Sequence, residues 1–161
     1  MFYEAAADME DLLLKVSNNG LPYFASQDSN TLIQKMDTLA CFAGGLYGQA
    51  AIAAKDYNRW LNIAKEITNT CHESYSRAET KLGPGTMRFT DTVEAKGIEA
   101  GEKNFVQRAA TVESYFIMWR LTKDSKYREW GWEVVEALEE HAKTEAGYAG
   151  IKNVYQVIFV T

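Results

Sequence analysis

Apolar residues recur at helical spacing in five segments of the chain. From Phe2 to Val16, Met9, Leu12, Leu13 and Val16 follow that spacing ahead of Ser17-Asn18-Asn19-Gly20, a run suited to stopping a helix. A polar stretch through Asn30 reads as loop. Leu39, Phe42 and Leu46 then share a face of a segment predicted to continue to Ala54. Gly44-Gly45 weakens that helix by about 1 kcal/mol per glycine relative to alanine, and the pair suits close approach by another backbone. Asp56 is placed to cap a third helix, in which Trp60, Leu61, Ala64, Ile67, Cys71 and Tyr75 keep the helical period.

From Lys81 to Gln107 the chain carries Gly83-Pro84-Gly85, short β-prone pieces, Gly97 and Gly101, which predicts an ordered excursion with a short β-hairpin or loop. Val112, Tyr115, Phe116 and Trp119 mark the buried stripe of a fourth helix. Tyr127, Trp130, Val134, Val135 and Leu138 mark that of a fifth, capped by Asp124 or Ser125 and closed by Gly147. The tail from Tyr155 to Thr161 has the composition of a strand or a sticky end. Asp56-Tyr57-x-x-Trp60 and Lys126-Tyr127-x-x-Trp130 each open the second helix of a pair, with their tyrosines 70 positions apart. The expected fold is therefore all-α: one domain over residues 1–161, built from helical hairpins as a solenoid or part of an (α/α) barrel.

Length and composition agree with one folded domain. The 161 residues are 47% hydrophobic and 24% charged with two prolines, unlike disordered chains, which are poorer in apolar residues. The formal charge of -5, with no cluster of Lys and Arg, argues against a nucleic-acid or anionic-membrane binder. No signal peptide is visible at Met1-Phe2-Tyr3-Glu4, and no run approaches the roughly 18 apolar residues of a membrane helix. Cys41 and Cys71 are either two buried thiols in a reducing compartment or one disulfide in an oxidising one.

Candidate chemistry is sparse when read from the residues. His72 and His141 lie in different helices without a partner at metal-ligand spacing beyond the neighbouring Cys71. Cys41 belongs to an apolar face, and no glycine elbow surrounds a serine. Paired carboxylates matter more, because glycosidases set two across the scissile bond. Asp37 and Glu113 each open an apolar helix, a position where acids also stabilise the helix N-terminus by about 0.3 to 1 kcal/mol. Trp119, Trp130 and Trp132 are candidates for stacking on sugar rings or for the core.

Several longer motifs carry a family resemblance. Lys35-Met36-Asp37-Thr38-Leu39-Ala40-Cys41-Phe42 resembles the K-M-D-H-L-x-C-F box of the class I alpha-1,2-mannosidases, glycoside hydrolase family 47. Thr70-Cys71-His72-Glu73-Ser74-Tyr75 resembles that family's T-C-x-x-x-Y segment, Leu82-Gly83-Pro84 its G-L-x-P-E, and Arg108 to Ser114 its R-P-E-T-x-E-S. The similarity continues from Trp119-Arg120-Leu121-Thr122 through Tyr127 to Glu133 and on to Gly147-Tyr148, and spans the chain to about Val154.

The resemblance implies a piece of a closed barrel of seven helical hairpins that trims mannose from N-glycans in the secretory pathway by inverting hydrolysis. It implies a Cys41–Cys71 disulfide, a high-mannose glycan or glycoprotein partner, and sugar contacts at Arg108 and Glu113. It also implies Ca2+, but the family's calcium-ligating Thr belongs to a T-E-x-H segment expected beyond Val154. The family's proposed acid and a further acidic catalytic residue are expected before Met1. Within the matched stretch, Thr38 stands where the family has His, Gly85 where it has Glu, and Ala109-Ala110 where it has Pro-Glu, whose Glu is the proposed general base. The resulting expectation is a fragment or degenerate family member, catalytically compromised, with no catalytic or metal-ligating residue assigned in this chain. Non-catalytic glycan binding or quality control, and protein recognition by a helical repeat, are the alternatives. An incomplete barrel should also expose apolar surface or self-associate.

Overall fold

Helix α1 (Phe2–Leu13) ends before the predicted Val16 in the computed structural model, which describes residues 1–157. The chain leaves it as strand β1 (Leu14–Val16), paired antiparallel with β2 (Pro22–Phe24). Small Ala6 is what α1 buries, which lets the helix lie close to its neighbours. The Tyr47 hydroxyl donates to the Ala6 carbonyl at 2.6 Å, and the Tyr3 ring meets Trp60 edge-on at 5.2 Å. Of the residues read at helical spacing here, Met9, Leu12 and Val16 are exposed.

The stretch expected to be loop holds three further short strands: β3 (Ser26–Asp28), β4 (Thr31–Ile33) and β5 (Lys35–Asp37). β3 and β4 form a hairpin, while β5 joins β6 (Thr86–Phe89) and β7 (Glu94–Lys96) in a sheet ordered β5-β6-β7. The hairpin expected between Lys81 and Gln107 is thus present, and it pairs with the Lys35–Asp37 box. Strand pairing satisfies backbone groups that these non-helical connections would otherwise leave open.

A 3-10 turn, Thr38–Cys41, leads into α2 (Phe42–Ala51). Of Leu39, Phe42 and Leu46, read as sharing one face, Leu39 is 57% exposed and Phe42 42%, while Leu46 is half-buried. The helix packs through small residues instead, burying Ala43, Gly44, Gly45, Gly48, Ala50 and Ala51 around Tyr47. A Cβ on Gly44 would collide with the Thr68 hydroxyl and stand 3.2 Å from Ser114 Oγ, so this glycine is required by close approach, as expected.

Helix α3 (Tyr57–Ser76) follows the predicted stripe, burying Trp60, Ile63, Ala64, Ile67, Cys71 and Tyr75. Asp56 caps it by accepting the Arg59 N–H at 3.1 Å. Helices α4 (Ala110–Thr122) and α5 (Lys126–His141) form the second hairpin, turning at Lys123 with φ 59°. Asp124 accepts the Lys126 N–H at 3.2 Å, so it, rather than Ser125, supplies the side-chain cap. Tyr115, Tyr127 and Val134 are buried as predicted, but Phe116 and Val135 are exposed. Gly147, at φ +144°, closes the hairpin of β8 (Lys143–Thr144) and β9 (Gly147–Tyr148) rather than α5.

The described fold is therefore helical hairpins plus small antiparallel sheets, more mixed than the all-α expectation. The chain returns to the core at Val154, which is buried and whose carbonyl accepts the Thr80 N–H at 3.1 Å. Residues 155–157 form no strand, and the rest of the tail expected to pair or stick, residues 158–161, lies outside the described residues.

Candidate functional site

Arg108 and Asp37, two of the polar residues singled out in the sequence, meet where the N-terminal end of α4 passes the 3-10 turn before α2. Buried Ser114, in the first turns of α4, fixes this crossing: its hydroxyl accepts the Gly45 N–H at 2.8 Å and donates to the Cys41 carbonyl at 2.7 Å. Cys41 is in turn bonded to Cys71 of α3, and both cysteines are fully buried. Three helices are thereby tied together beneath one surface.

On that surface Arg108 Nη1 lies 3.0 Å from Asp37 Oδ1, a pair separated by 71 residues in sequence. The same Asp37 oxygen accepts the Leu39 N–H at 2.8 Å, so Asp37 caps the 3-10 turn as a helix-opening acid does. Both partners are near half exposed, a setting in which an ion pair contributes about 0 to 1 kcal/mol. Glu113 is exposed in the first turn of α4, favourable to its helix N-terminus.

Beside this rim stand three residues with little chemistry. Thr38 is buried and spends its hydroxyl on the Pro84 carbonyl, while its N–H bonds the Gly85 carbonyl at 3.0 Å. Gly85 abuts Asn104, whose Oδ1 would lie 2.7 Å from an added Cβ. Ala110 presents only a methyl group and is 6% exposed.

The remaining candidates are engaged elsewhere. The His72 ring stacks on Trp130 with centroids 3.8 Å apart, and its Nδ1 is 3.4 Å from the Tyr115 hydroxyl. Burial pushes the imidazole down from its usual 6.5 to about 4, against the opposing pull of Glu73, so it packs as a neutral ring at neutral pH. Trp119 is ringed by cations, and exposed Trp132 donates its indole N–H to Glu136 at 3.0 Å. Among the described residues, no three of His, Cys, Asp and Glu gather so as to hold a metal ion, and no helix is long and apolar enough to cross a membrane.

The sequence pattern of glycosyl hydrolase family 47 matches residues 1–158. The chain belongs to this family. It is 49% identical over 158 residues to the mannosyl-oligosaccharide alpha-1,2-mannosidase IA of Drosophila melanogaster, covering 97% of this chain and 24% of the fly protein. It is 45% identical to mannosidase IA of Sus scrofa and 46% to human mannosidase IC, each over 157 residues. The chain thus spans about a quarter of the length of these curated relatives. Its fold is that of the alpha-1,2-mannosidase from Trichoderma reesei, with a TM-score of 0.82 at 19% identity over 95% of this chain and 35% of the fungal one.

Within the family 47 frame, the Arg108–Asp37 pair and the Ser114 crossing were not visible in the sequence as contacts. Their signal was indirect: Asp37 belongs to the Lys35–Phe42 box, and Arg108 and Ser114 bound another motif. The two motifs are brought together by the crossing of α4 over α2.

Proposed function

We propose that this chain is a segment or degenerate form of a mannosyl-oligosaccharide alpha-1,2-mannosidase, built as an incomplete (α/α) barrel and catalytically compromised. The observation that carries the reading is Ala110. Inverting hydrolysis needs a carboxylic acid on the leaving oxygen and a carboxylate that activates water, about 6.5 to 9.5 Å apart. Where the motif resemblance puts the family's base, this chain has the buried methyl group of Ala110, which takes no proton from water. The flanking changes point the same way, since the Thr38 hydroxyl is committed to a backbone carbonyl and Gly85 has no side chain.

In this reading Arg108 and Glu113 are the surviving sugar contacts. A guanidinium oriented by Asp37 offers hydrogen-bond donors to mannose hydroxyls, and the Glu113 carboxylate offers acceptors. The ligand is a high-mannose N-glycan, alone or on a glycoprotein. A secretory compartment agrees with the disulfide between Cys41 and Cys71, a bond rare in reducing cytosol. The test is release of mannose from a Man9 glycan. No release above a blank is expected, with or without calcium; calcium-dependent release abolished by a chelator would refute the reading.

A further inference from the structure

The run Ser17-Asn18-Asn19-Gly20 becomes the turn between β1 and β2. The Ser17 N–H donates to the Leu21 carbonyl at 2.9 Å, which leaves Asn18, Asn19 and Gly20 as the loop, and the Gly20 N–H closes it on the Ser17 carbonyl at 3.0 Å. Gly20 sits at φ +91°, a left-handed conformation that favours glycine and that hairpin loops of this kind place at their last position. The turn thereby creates the one Asn-Gly pair in the chain, and both residues are exposed.

An Asn-Gly pair is open to attack by the glycine nitrogen on the asparagine carboxamide, because glycine has no Cβ to shield its N–H. The Asn19 carboxamide faces solvent, and its Nδ2 reaches Glu94 Oε2 at 3.4 Å, a long contact. Asn18 differs, since its Nδ2 donates to Asp91 Oδ1 at 3.0 Å and the residue after it carries a side chain. The Ser17 hydroxyl also donates to Glu94, and Arg77 Nη1 lies 3.1 Å from the same carboxylate. The turn is thus held by carboxylates of the β6–β7 loop, at Asp91, and of the first residue of β7, Glu94.

We propose that Asn19 is a site of self-modification whose conversion to a carboxylate releases the β1–β2 turn from the β6–β7 loop. When the Gly20 bond to Ser17 opens, the Gly20 nitrogen attacks Asn19 Cγ. The Cγ–Nδ2 bond breaks, and the amide nitrogen leaves as ammonia with the proton that Gly20 gives up. Water then opens the cyclic imide at either carbonyl, leaving aspartate or isoaspartate at position 19. The product has lost the donor that met Glu94 and sets a further carboxylate beside Glu94 and Asp91, where like charges repel. Isoaspartate also routes the backbone through Cβ, lengthening a turn that closes on the Gly20 N–H. The effect is local, because the crossing of α2 and α4 rests on other, buried groups.

Incubating the full chain in mildly alkaline buffer and mapping its peptides by mass tests the chemistry. Asn19 should show the amide-to-acid mass change ahead of every other asparagine, and the product should accept methyl from S-adenosylmethionine through an isoaspartyl methyltransferase. Conversion elsewhere before Asn19, or nowhere while an unstructured Asn-Gly peptide converts, would overturn the site. Amide hydrogen exchange tests the release. In Asn19→Asp the Ser17 and Leu21 amides should exchange faster than in wild type by a factor of about 2 to 5, the range set by one exposed charge contact, and the difference should narrow in high salt. Asn19→Ser removes the amide without adding charge and should stay closer to wild type. The Gly45 N–H, bonded to Ser114, should exchange alike in all three proteins. Turn amides unchanged in Asn19→Asp, or accelerated equally in Asn19→Ser, would overturn the release.

Discussion

Ser114 of α4 stands between Gly45 and Cys41, accepting the N–H of one and donating to the carbonyl of the other. Glycines make this possible: Gly44, Gly45 and Gly48 let α4 approach until a side-chain hydroxyl meets the α2 backbone. The Arg108–Asp37 pair lies at the same end of this crossing. The frame of this surface is thus held by buried groups.

Replacing Ser114 with alanine should lower unfolding stability by about 1 to 3 kcal/mol, because the change strips a partner from buried polar groups. Urea denaturation should show a lower midpoint with an unchanged slope. Wild-type stability in that variant would mean that the bridge contributes nothing to the crossing.

Gly44→Ala should destabilise more than Gly45→Ala, although both gain about 1 kcal/mol of helix propensity. A methyl at position 44 meets the Thr68 hydroxyl, itself held to the Ala64 carbonyl at 2.6 Å. At position 45 the nearest atom, 2.6 Å away, is the end of the Ile117 side chain, which can rotate. Overpacking costs about 1 to 3 kcal/mol, enough to outweigh propensity at Gly44. Chemical denaturation of the two variants gives the order; the reverse order would contradict the packing described.

These contacts mark how far the sequence could be read. Helix α3 was legible because Trp60, Ile67 and Tyr75 are large, apolar and periodic, so burial and pattern coincide. The face of α2 was not, because glycine and alanine pack by shape and carry little hydropathy signal, whereas the more conspicuous Leu39 and Phe42 face outward. Strands β1 to β5 are three residues each, too short for alternation to register. Arg108 and Glu113 stood out by motif, whereas the contact of Arg108 with Asp37 was not legible because it depends on helix crossing across 71 residues.

Acid should weaken the fold through His72. Its folded pKa, lowered by burial to about 4, lies below the unfolded value of 6.5, so the unfolded state binds more protons between them. Stability contributed by this site is present above pH 6.5 and is lost as pH falls toward 4. His72→Phe, which keeps a ring against Trp130, should flatten the decline between pH 6.5 and 5. Urea midpoints across that range decide it, and equal slopes for both proteins would exclude His72 as the cause.

Reducing the Cys41–Cys71 bond should lower stability by about 3 to 4 kcal/mol. The bond joins residues 30 apart, and in the chain-entropy model closing such a loop restricts the unfolded chain by roughly that amount. Because both sulfurs are buried, loss should require prior unfolding: a reductant should act slowly on the native protein and quickly in denaturant. Rapid reduction under native conditions, followed by thiol counting, would contradict this burial.

The central claim is that architecture persists here without hydrolysis, and the mannose-release assay on wild type and Ala110→Glu tests it most directly. Both proteins should first show the disulfide and a cooperative unfolding transition. Each is then incubated with a Man9 glycan in calcium, beside a chelator control and an unrelated-protein blank. The substitution returns one carboxylate, whereas the reaction needs an acid and a base together. Neither protein should release mannose above the blank. Calcium-dependent release by the wild type would contradict the loss of function, and release by Ala110→Glu alone would show that one missing carboxylate was the whole of the defect.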